Sequence, residues 1–350
     1  MDCDYEWLHG SQCPKNEGIS RYDPLNLVSV IVVNWNGKEL LQDCLGALQR
    51  QTYRSFTVIL VDNGSNDGSV EFVNSQYPDV KTIPLPDNVG FSAANNIAIK
   101  TVDTRYVALL NNDAVPDPSW LKELVETLET HPRVGFAASK MLFHDRRHVI
   151  DRAGDGYTNA GVALLRGRDT TADGFDRCEP VFGACAGAAL YRTSMFDDVG
   201  LFDEDFFLLY EDVDLSFRAQ LRGYQCLYVP DAIVYHKVSM SIVRDSPVSV
   251  YYGHRNVEWV YVKNMPGRLV TRTIVQHIIY GWMAFFFFMM TGRLKEFIRA
   301  KLDVLSGLKG LLEKRREIQK RKSVDDRYIW NLFEKEKLLL RLIKRHSLDR

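Results

Sequence analysis

Two periodicities of apolar and polar positions alternate along the chain. Leu27-Val-Ser-Val-Ile-Val-Val33 is a β-branched run that ends in Asn34-Trp-Asn-Gly37, which predicts a buried strand and then a turn. Lys38 to Gln51 follows with Leu40, Leu41, Leu45 and Leu48 at helical spacing. A second strand, Phe56 to Val61, ends in Asp62-Asn-Gly-Ser65, and Asn66-Asp-Gly-Ser69 opens another helix. A third, Lys81 to Leu85, leads through Asp87-Asn-Val-Gly-Phe91 into a small-residue helix, Ser92 to Thr101. A fourth, Tyr106 to Leu110, runs directly into Asn111-Asn-Asp113. Strands that alternate with helices imply a parallel sheet, and parallel sheets hold ligands at the carboxyl ends of their strands. Asn34, Asp62 and Asn111 to Asp113 are therefore expected on one rim.

Beyond Pro116 and Pro118 the pattern predicts a helix over Ser119 to Thr130, with Ser119 as its N-cap, and a short strand from Val134 to Ala138. Residues 139 to 180 are rich in Gly, Asp, Arg and Thr and fit either a hairpin or a loop over the rim. Phe182 to Tyr191, small and apolar, suits a closely packed strand. Phe202 to Leu215 interleaves carboxylates with aromatics, so Asp205, Glu211, Asp212 and Asp214 are expected to be partly buried. A helix from Asp214 to Arg222 stops at Gly223, with Asp214 read as an N-cap. Cys226 to Val229 is the last strand before Tyr235-His-Lys237.

Composition changes this picture only at the ends. With 46% apolar and 25% charged residues, the chain is an ordinary α/β protein rather than a disordered or multi-span one. The net charge of -1 hides an asymmetry, since residues 271 to 350 carry 19 Lys and Arg against 9 Asp and Glu. Nothing suggests a nucleic-acid partner. The six cysteines show no CxxC pair, and the acidic N-terminus has no continuous apolar run. Neither a zinc knuckle, a disulfide framework nor a signal peptide is expected, and a reducing cytoplasmic location is the default. Residues 1 to 24 read as a loose leader, 25 to 265 as the catalytic domain and 266 to 350 as a basic amphipathic helical tail. Within the tail, the 17 residues Ile274 to Met290 are apolar but contain Gln276 and His277 and are flanked by Arg268, Arg272, Arg293 and Lys295. An in-plane membrane helix, continued by Leu294 to Leu312, fits better than a spanning one. A helical homodimer interface is the alternative.

Two chemistries and two exclusions follow from the residues. A diphosphate leaving group needs a divalent cation, and hard cations take carboxylate oxygen, which makes Asp113 the candidate ligand. Asp62 is either an ordinary turn residue or the acceptor for the N3-H of a uracil or thymine ring, with Gly64 and Gly68 allowing close backbone approach. No GxGxxG is present, which disfavours a nicotinamide cofactor. A nucleotidyltransferase would carry a glycine-rich basic loop after its first strand, and Asn34-Trp-Asn-Gly37 is not one.

Val28-Ser-Val-Ile-Val-Val-Asn-Trp-Asn-Gly37, Val61-Asp-Asn-Gly-Ser-Asn-Asp-Gly-Ser69, Asn88-Val-Gly-Phe91, Leu110-Asn-Asn-Asp113 and Tyr210-Glu-Asp-Val-Asp-Leu215 together resemble family 2 glycosyltransferases of the GT-A fold, in particular the rhamnosyltransferase-like branch. The resemblance spans residues 27 to 265. It implies an inverting transfer of a sugar from a dTDP-, UDP- or GDP-linked donor to a lipid-linked or cell-surface glycan, dependent on Mg2+ or Mn2+, by an enzyme peripheral on the cytoplasmic face of the membrane. It assigns the donor to Asn34, Asn36, Asp62, Asn63, Asn88, Gly90, Asn95, Asn111, Asn112 and Asp113. The metal goes to Asp113 and His236, with Lys237 and Ser239 as phosphate partners. The base lies in Glu211-Asp212, with Asp212 preferred. Asn111 stands where the family's DxD motif has its first acid, so one charge is missing. Trp35 and Phe91 are expected to pack rather than to stack on sugar. A polyprenyl-phosphate sugar synthase would share the first three motifs.

Overall fold

The computed structural model describes residues 27 to 238 and 246 to 335. The predicted leader, Ser239, Cys3 and Cys13 lie outside them. The chain runs β1 (Val28–Asn34), α1 (Lys38–Gln49), β2 (Phe56–Asp62), α2 (Ser69–Gln76), β3 (Lys81–Pro84), α3 (Phe91–Ile99), β4 (Tyr106–Asn111), β5 (Ala114–Pro116), α4 (Trp120–Thr130), β6 (Val134–Phe143), β7 (Ile150–Ala153), β8 (Asp155–Thr158), β9 (Ala163–Leu165), β10 (Glu179–Val181), β11 (Ala188–Arg192), α5 (Thr193–Val199), α6 (Glu211–Leu221) and β12 (Gln225–His236). A helical region follows: α7 (Pro247–Asn264), α8 (Gly267–Met290), α9 (Leu294–Ser306), α10 (Leu308–Arg321), α11 (Asp326–Leu332) and the short β13 (Phe333–Glu334).

The main sheet has the order β10-β12-β6-β11-β4-β1-β2-β3. Its first half is the expected parallel unit, with Val28, Val30 and Val32 of β1 fully buried beneath α1 and α4. Parallel strands buried on both faces need such continuous apolar runs. β11 then inserts antiparallel between β4 and β6, and β12 returns parallel to β6. Register brings the chemistry together: Asn34 pairs with Asp62, and Val33 with Asn111, so three strands end level.

Several local expectations need correcting. Residues 139 to 180 form neither a lone hairpin nor a loop. They extend β6 to ten residues and build β7, β8, β9 and β10. The small apolar segment is a strand only from Ala188 onward, and β12 runs twelve residues through a bulge rather than stopping at Val229. Ser119 stands at the N-cap position of α4 as expected, but its side chain makes no capping bond, because the hydroxyl donates to Asp117 at 3.1 Å. Asp214 is no N-cap either: α6 begins at Glu211, and Asp214 lies within its first turn. Asp205 is exposed and paired with Lys314.

The helical region packs on the sheet domain through α7, which contacts α6, α9 and α10. The apolar helix is longer than its sequence suggested, 24 residues with a hydropathy of 1.5, enough by length and composition to cross a membrane. Leu269, Thr273, His277, Ala284 and Phe288 form its buried face. Val275, Ile278, Ile279, Trp282, Phe286 and Met289 form an exposed apolar stripe opposite, continued by Ile298, Leu302 and Leu305 of α9.

Candidate active site

At the carboxyl ends of β1, β2 and β4 a network of amides and hydroxyls sets the rim. The buried Asn34 amide donates to Asp62 (3.1 Å) and Ser69 (3.0 Å), and its oxygen accepts from Asn112 (2.8 Å). Buried polar atoms are satisfied in this way or they cost stability. Glycine is required where these chains meet. A Cβ on Gly37 would lie 2.3 Å from the Asn112 amide nitrogen, and Gly64, at φ +79°, lies against the backbone of Asp87. Asn63 extends the network by donating to Asn88 (3.0 Å) and accepting from the Val89 amide (2.9 Å), while Asn88 also accepts from Gly90 N–H. Asn36 lies outermost, accepting from the Asn66 amide at 2.9 Å. Asn111 stands beside Gly187, whose carbonyl accepts its N–H at 2.9 Å. Asn95 stands apart, one turn into α3 and bonded to the Phe91 carbonyl. Trp35 corrects its expectation, being 50% exposed beside this rim, whereas Phe91 packs edge-on against Phe202.

Asp113, just past β4, meets the end of β12. His236 Nε2 lies 3.1 Å from Asp113 Oδ1, and His236 Nδ1 lies 2.8 Å from Asp151 Oδ2. Asp151, on β7, is bonded in turn by Arg168. Burial opposes charge on His236, but its hydrogen bonds to the two carboxylates outweigh that and push it up to about 9. Burial likewise opposes the charge on Asp151, and His236 and Arg168 still hold it below the usual carboxylate range.

The Asp113 and His236 atoms suit a divalent cation. Adjacent ligands of an octahedral ion at about 2.1 Å are about 3 Å apart, close to the 3.1 Å observed. His236 would have to be neutral to ligate such a cation, so its loading would release a proton. Among the described residues no group of three or more His, Cys, Asp or Glu is arranged to hold a metal, which leaves the remaining positions to ligand oxygens and water. Lys237, a phosphate partner by expectation, is paired with Asp43 at 2.6 Å.

Glu211 and Asp212 open α6 after three non-glycine residues at positive φ, Phe207, Leu209 and Tyr210. Such conformations cost energy and persist only where neighbours hold them. The Asn256 amide of α7 does so, donating to the carbonyls of Phe206, Leu208 and Leu209 at 3.1, 2.9 and 2.7 Å. Gly90 is where this turn touches the rim at the strand ends, since a Cβ there would meet Phe207 at 2.6 Å. Asp212 accepts from Val213 N–H at 2.8 Å and from Ala186 N–H at 3.3 Å. Burial and then the Asp212 charge push Glu211 up to about 8, and one of its carboxylate oxygens is buried without a partner. Asp214, by contrast, is neutralised by Lys263 (2.7 Å) and Arg218 (2.8 Å) and bonded by Asn264. Burial would raise its carboxyl, but these cations keep it depressed.

Asp151, Arg152, Asp155, Asn256 and Lys263 were not among the sequence candidates. Only Asp151 and Arg152 carried any signal, in the apolar-flanked Ile150-Asp-Arg-Ala153.

A sheet of this order, with amides and acids gathered at the ends of its parallel strands, is the GT-A architecture of enzymes that use nucleotide sugars. Residues 29–200 match the model for glycosyl transferase family 2, and the chain carries that glycosyltransferase domain. It is 28% identical, over 263 residues, to the N-acetylglucosaminyl-diphospho-decaprenol L-rhamnosyltransferase of Mycobacterium tuberculosis, covering 68% of this chain and 84% of that protein. Identity to the poly-beta-1,6-N-acetyl-D-glucosamine synthase of Staphylococcus aureus is 23%, over 60% of this chain and 50% of that one. Among solved structures, a mannosyltransferase from Pyrobaculum calidifontis in complex with GDP-Man and Mn2+ aligns with a TM-score of 0.52 at 16% identity, covering 87% and 83% of the two chains. S. aureus TarS in complex with UDP aligns at 0.53 and 18% identity, covering 84% and 90%. These two likenesses concern the fold.

Proposed function

We propose that the chain is an inverting enzyme that transfers rhamnose from dTDP-rhamnose to a diphospholipid-linked glycan at a membrane surface. The similarity to the mycobacterial rhamnosyltransferase over 84% of its length carries this reading of donor and acceptor. In it, Asp62 accepts the thymine N3–H, and the amide network from Asn34 to Asn112 keeps that carboxylate in place. Asp113 and His236 hold Mg2+ or Mn2+. The cation, when bound, neutralises charge on the leaving diphosphate. Asp212 takes the proton of the acceptor hydroxyl as its oxygen bonds to the anomeric carbon, and the bond from that carbon to the diphosphate breaks on the opposite face. The products are the glycoside and dTDP.

The stripe on α8 and α9 supports the membrane surface. Its apolar side chains face outward on one side only, while the opposite face holds His277 against Glu258 (2.8 Å) and the Ala160 carbonyl (2.8 Å). A helix fixed to its own domain along one face and apolar on the other suits an in-plane position, with the exposed Lys295 and Arg299 available to anionic lipid.

The test is nucleoside diphosphate release from dTDP-rhamnose, UDP-sugars and GDP-sugars, with Mg2+ or Mn2+ and N-acetylglucosaminyl-diphospho-decaprenol as acceptor. Acceptor-dependent release of dTDP is expected. Release only from UDP- or GDP-sugars overturns the donor, and none from any sugar overturns the transfer. Phe286→Asp is expected to lower sedimentation with phosphatidylglycerol vesicles; unchanged sedimentation, or a stable dimer buried through this stripe, contradicts the membrane assignment.

A further inference from the structure

Asp212 stands in a buried group of acids that share one cation. Its Oδ2 lies 3.7 Å from Nη1 of Arg152, and the same nitrogen lies 3.3 Å from Oδ1 of Asp155. Among the described residues, no other Lys or Arg nitrogen comes within 4 Å of Asp155, Glu211 or Asp212. The two neighbouring acidic centres have cations of their own. Asp151 has Arg168, and Asp214 has Lys263 and Arg218. Other titratable groups facing Asp212 are the buried Tyr191 on β11 and the half-buried Cys185 before β11 and Tyr210 before α6, all held neutral, with removal from water the largest cause. Arg152 is therefore the only positive charge set among three carboxylates.

The placement of Arg152 gives this arrangement a direction. It is next to Asp151 on β7, and successive strand residues point to opposite faces. Asp151 reaches His236 on one side, and Arg152 reaches Asp212 on the other. One short strand braces the donor-side cluster and the base together. Arg152 Nη1 donates a long hydrogen bond to Asp155 Oδ2 at 3.4 Å, while Arg152 Nε and Asp155 Oδ1 are buried without hydrogen-bond partners, so the network is unsaturated and charge attraction holds much of the group.

We infer that Arg152 is the positioning residue of the base: its guanidinium, anchored by Asp155, holds the Asp212 carboxylate in place between two other acids. The inference rests on the glycosyl-transfer reading and extends it to residues outside the family motifs. Burial raises Asp155 to about 7 against the pull of Arg152, and Glu211 to about 8, so this group takes up protons near neutral pH even beside its cation. A protonated Asp212 cannot accept the acceptor's proton.

The variants are Arg152→Gln, Arg152→Lys and Asp155→Asn, read by the pH profile of kcat with dTDP-rhamnose, Mn2+ and N-acetylglucosaminyl-diphospho-decaprenol. A second readout is carboxyl titration followed by 13C NMR, which needs no turnover. Arg152→Gln is expected to lower kcat at neutral pH ~100-fold, the scale of a general base. It should leave the KM for donor near that of wild type and move both the acidic limb and the carboxyl titrations near pH 7 to 8 upward by about one unit or more. Arg152→Lys should restore most of the rate, and Asp155→Asn should move the limb the opposite way. Unmoved titrations in folded Arg152→Gln overturn the inference. Should that variant not fold, unmoved titrations in Asp155→Asn do so. A wild-type enzyme that turns over no nucleotide sugar refutes the transfer reading instead, and the NMR titrations still decide the role of Arg152.

Discussion

The proposed donor rim and the proposed base are built in opposite ways. At the rim, Asn34, Asn63, Asn88 and Asn112 position Asp62 through amide hydrogen bonds between the ends of neighbouring strands. At the base, charges do the positioning, and their partners come from afar: Arg152 lies sixty residues from Asp212, and Lys263 forty-nine from Asp214. Amides set geometry without a net charge to desolvate, whereas buried ions in a low dielectric interact strongly and make a site sensitive to pH and to the loss of any one partner.

The largest expected break in this comparison comes from Lys263→Met. It strips Asp214 and Asp203 of the ammonium they share, at 2.7 and 2.5 Å, and a buried pair that loses one partner costs roughly 3–5 kcal/mol. Asn34→Ala, the corresponding loss on the donor side, is expected to cost about 1–3 kcal/mol. Urea denaturation ranks the two, and an equal or reversed ranking removes the distinction.

A smaller effect sharpens the donor side. Asp151→Asn removes the carboxylate behind His236 and should weaken Mn2+ binding ~10- to 100-fold, the usual loss for an outer-sphere partner of a metal-binding histidine. Titration with Mn2+ checks it; unchanged affinity means His236 does not ligate.

The smallest effect is the dependence of stability on pH, and its sign differs within the base region. Asp203 and Asp214 are depressed in the folded state, so their contribution is present above about pH 4 and is lost as pH falls below it. Asp155 and Glu211 are raised to about 7 and 8, so the folded chain holds protons that the unfolded chain has released. Their effect is a decline in stability as pH rises from about 4 to about 8. Denaturation at about pH 5 and about pH 8.5 should show that decline, and Asp155→Asn should flatten it.

The same contrast decides what could be read in advance. β1, β2 and β4 are contiguous apolar runs with their polar residues immediately behind them, so rim and strand order follow from local pattern and register. The start of α6 was misjudged because Tyr210, at φ 70°, is a residue type that rarely adopts that conformation, and what holds the turn is Asn256 in a helix far along the chain. Residues 139 to 180 were opaque for a similar reason. Their strands β7 to β10 are short and carry buried Asp and a half-buried Arg, a placement that makes sense only once the partners on β12 and α6 are in place. Periodicity reports which face is apolar and is silent about ion pairs between elements.

The most direct test of a separable donor site and base is calorimetric binding of dTDP with Mn2+, measured beside turnover, for Asp113→Ala and Asp212→Asn. Asp113→Ala should lose Mn2+-dependent dTDP binding and turnover together, while Asp212→Asn should bind dTDP as wild type does and lose turnover by ~10²- to 10⁴-fold. An Asp212→Asn variant with full activity, or an Asp113→Ala variant that still binds dTDP in a Mn2+-dependent way, contradicts the account.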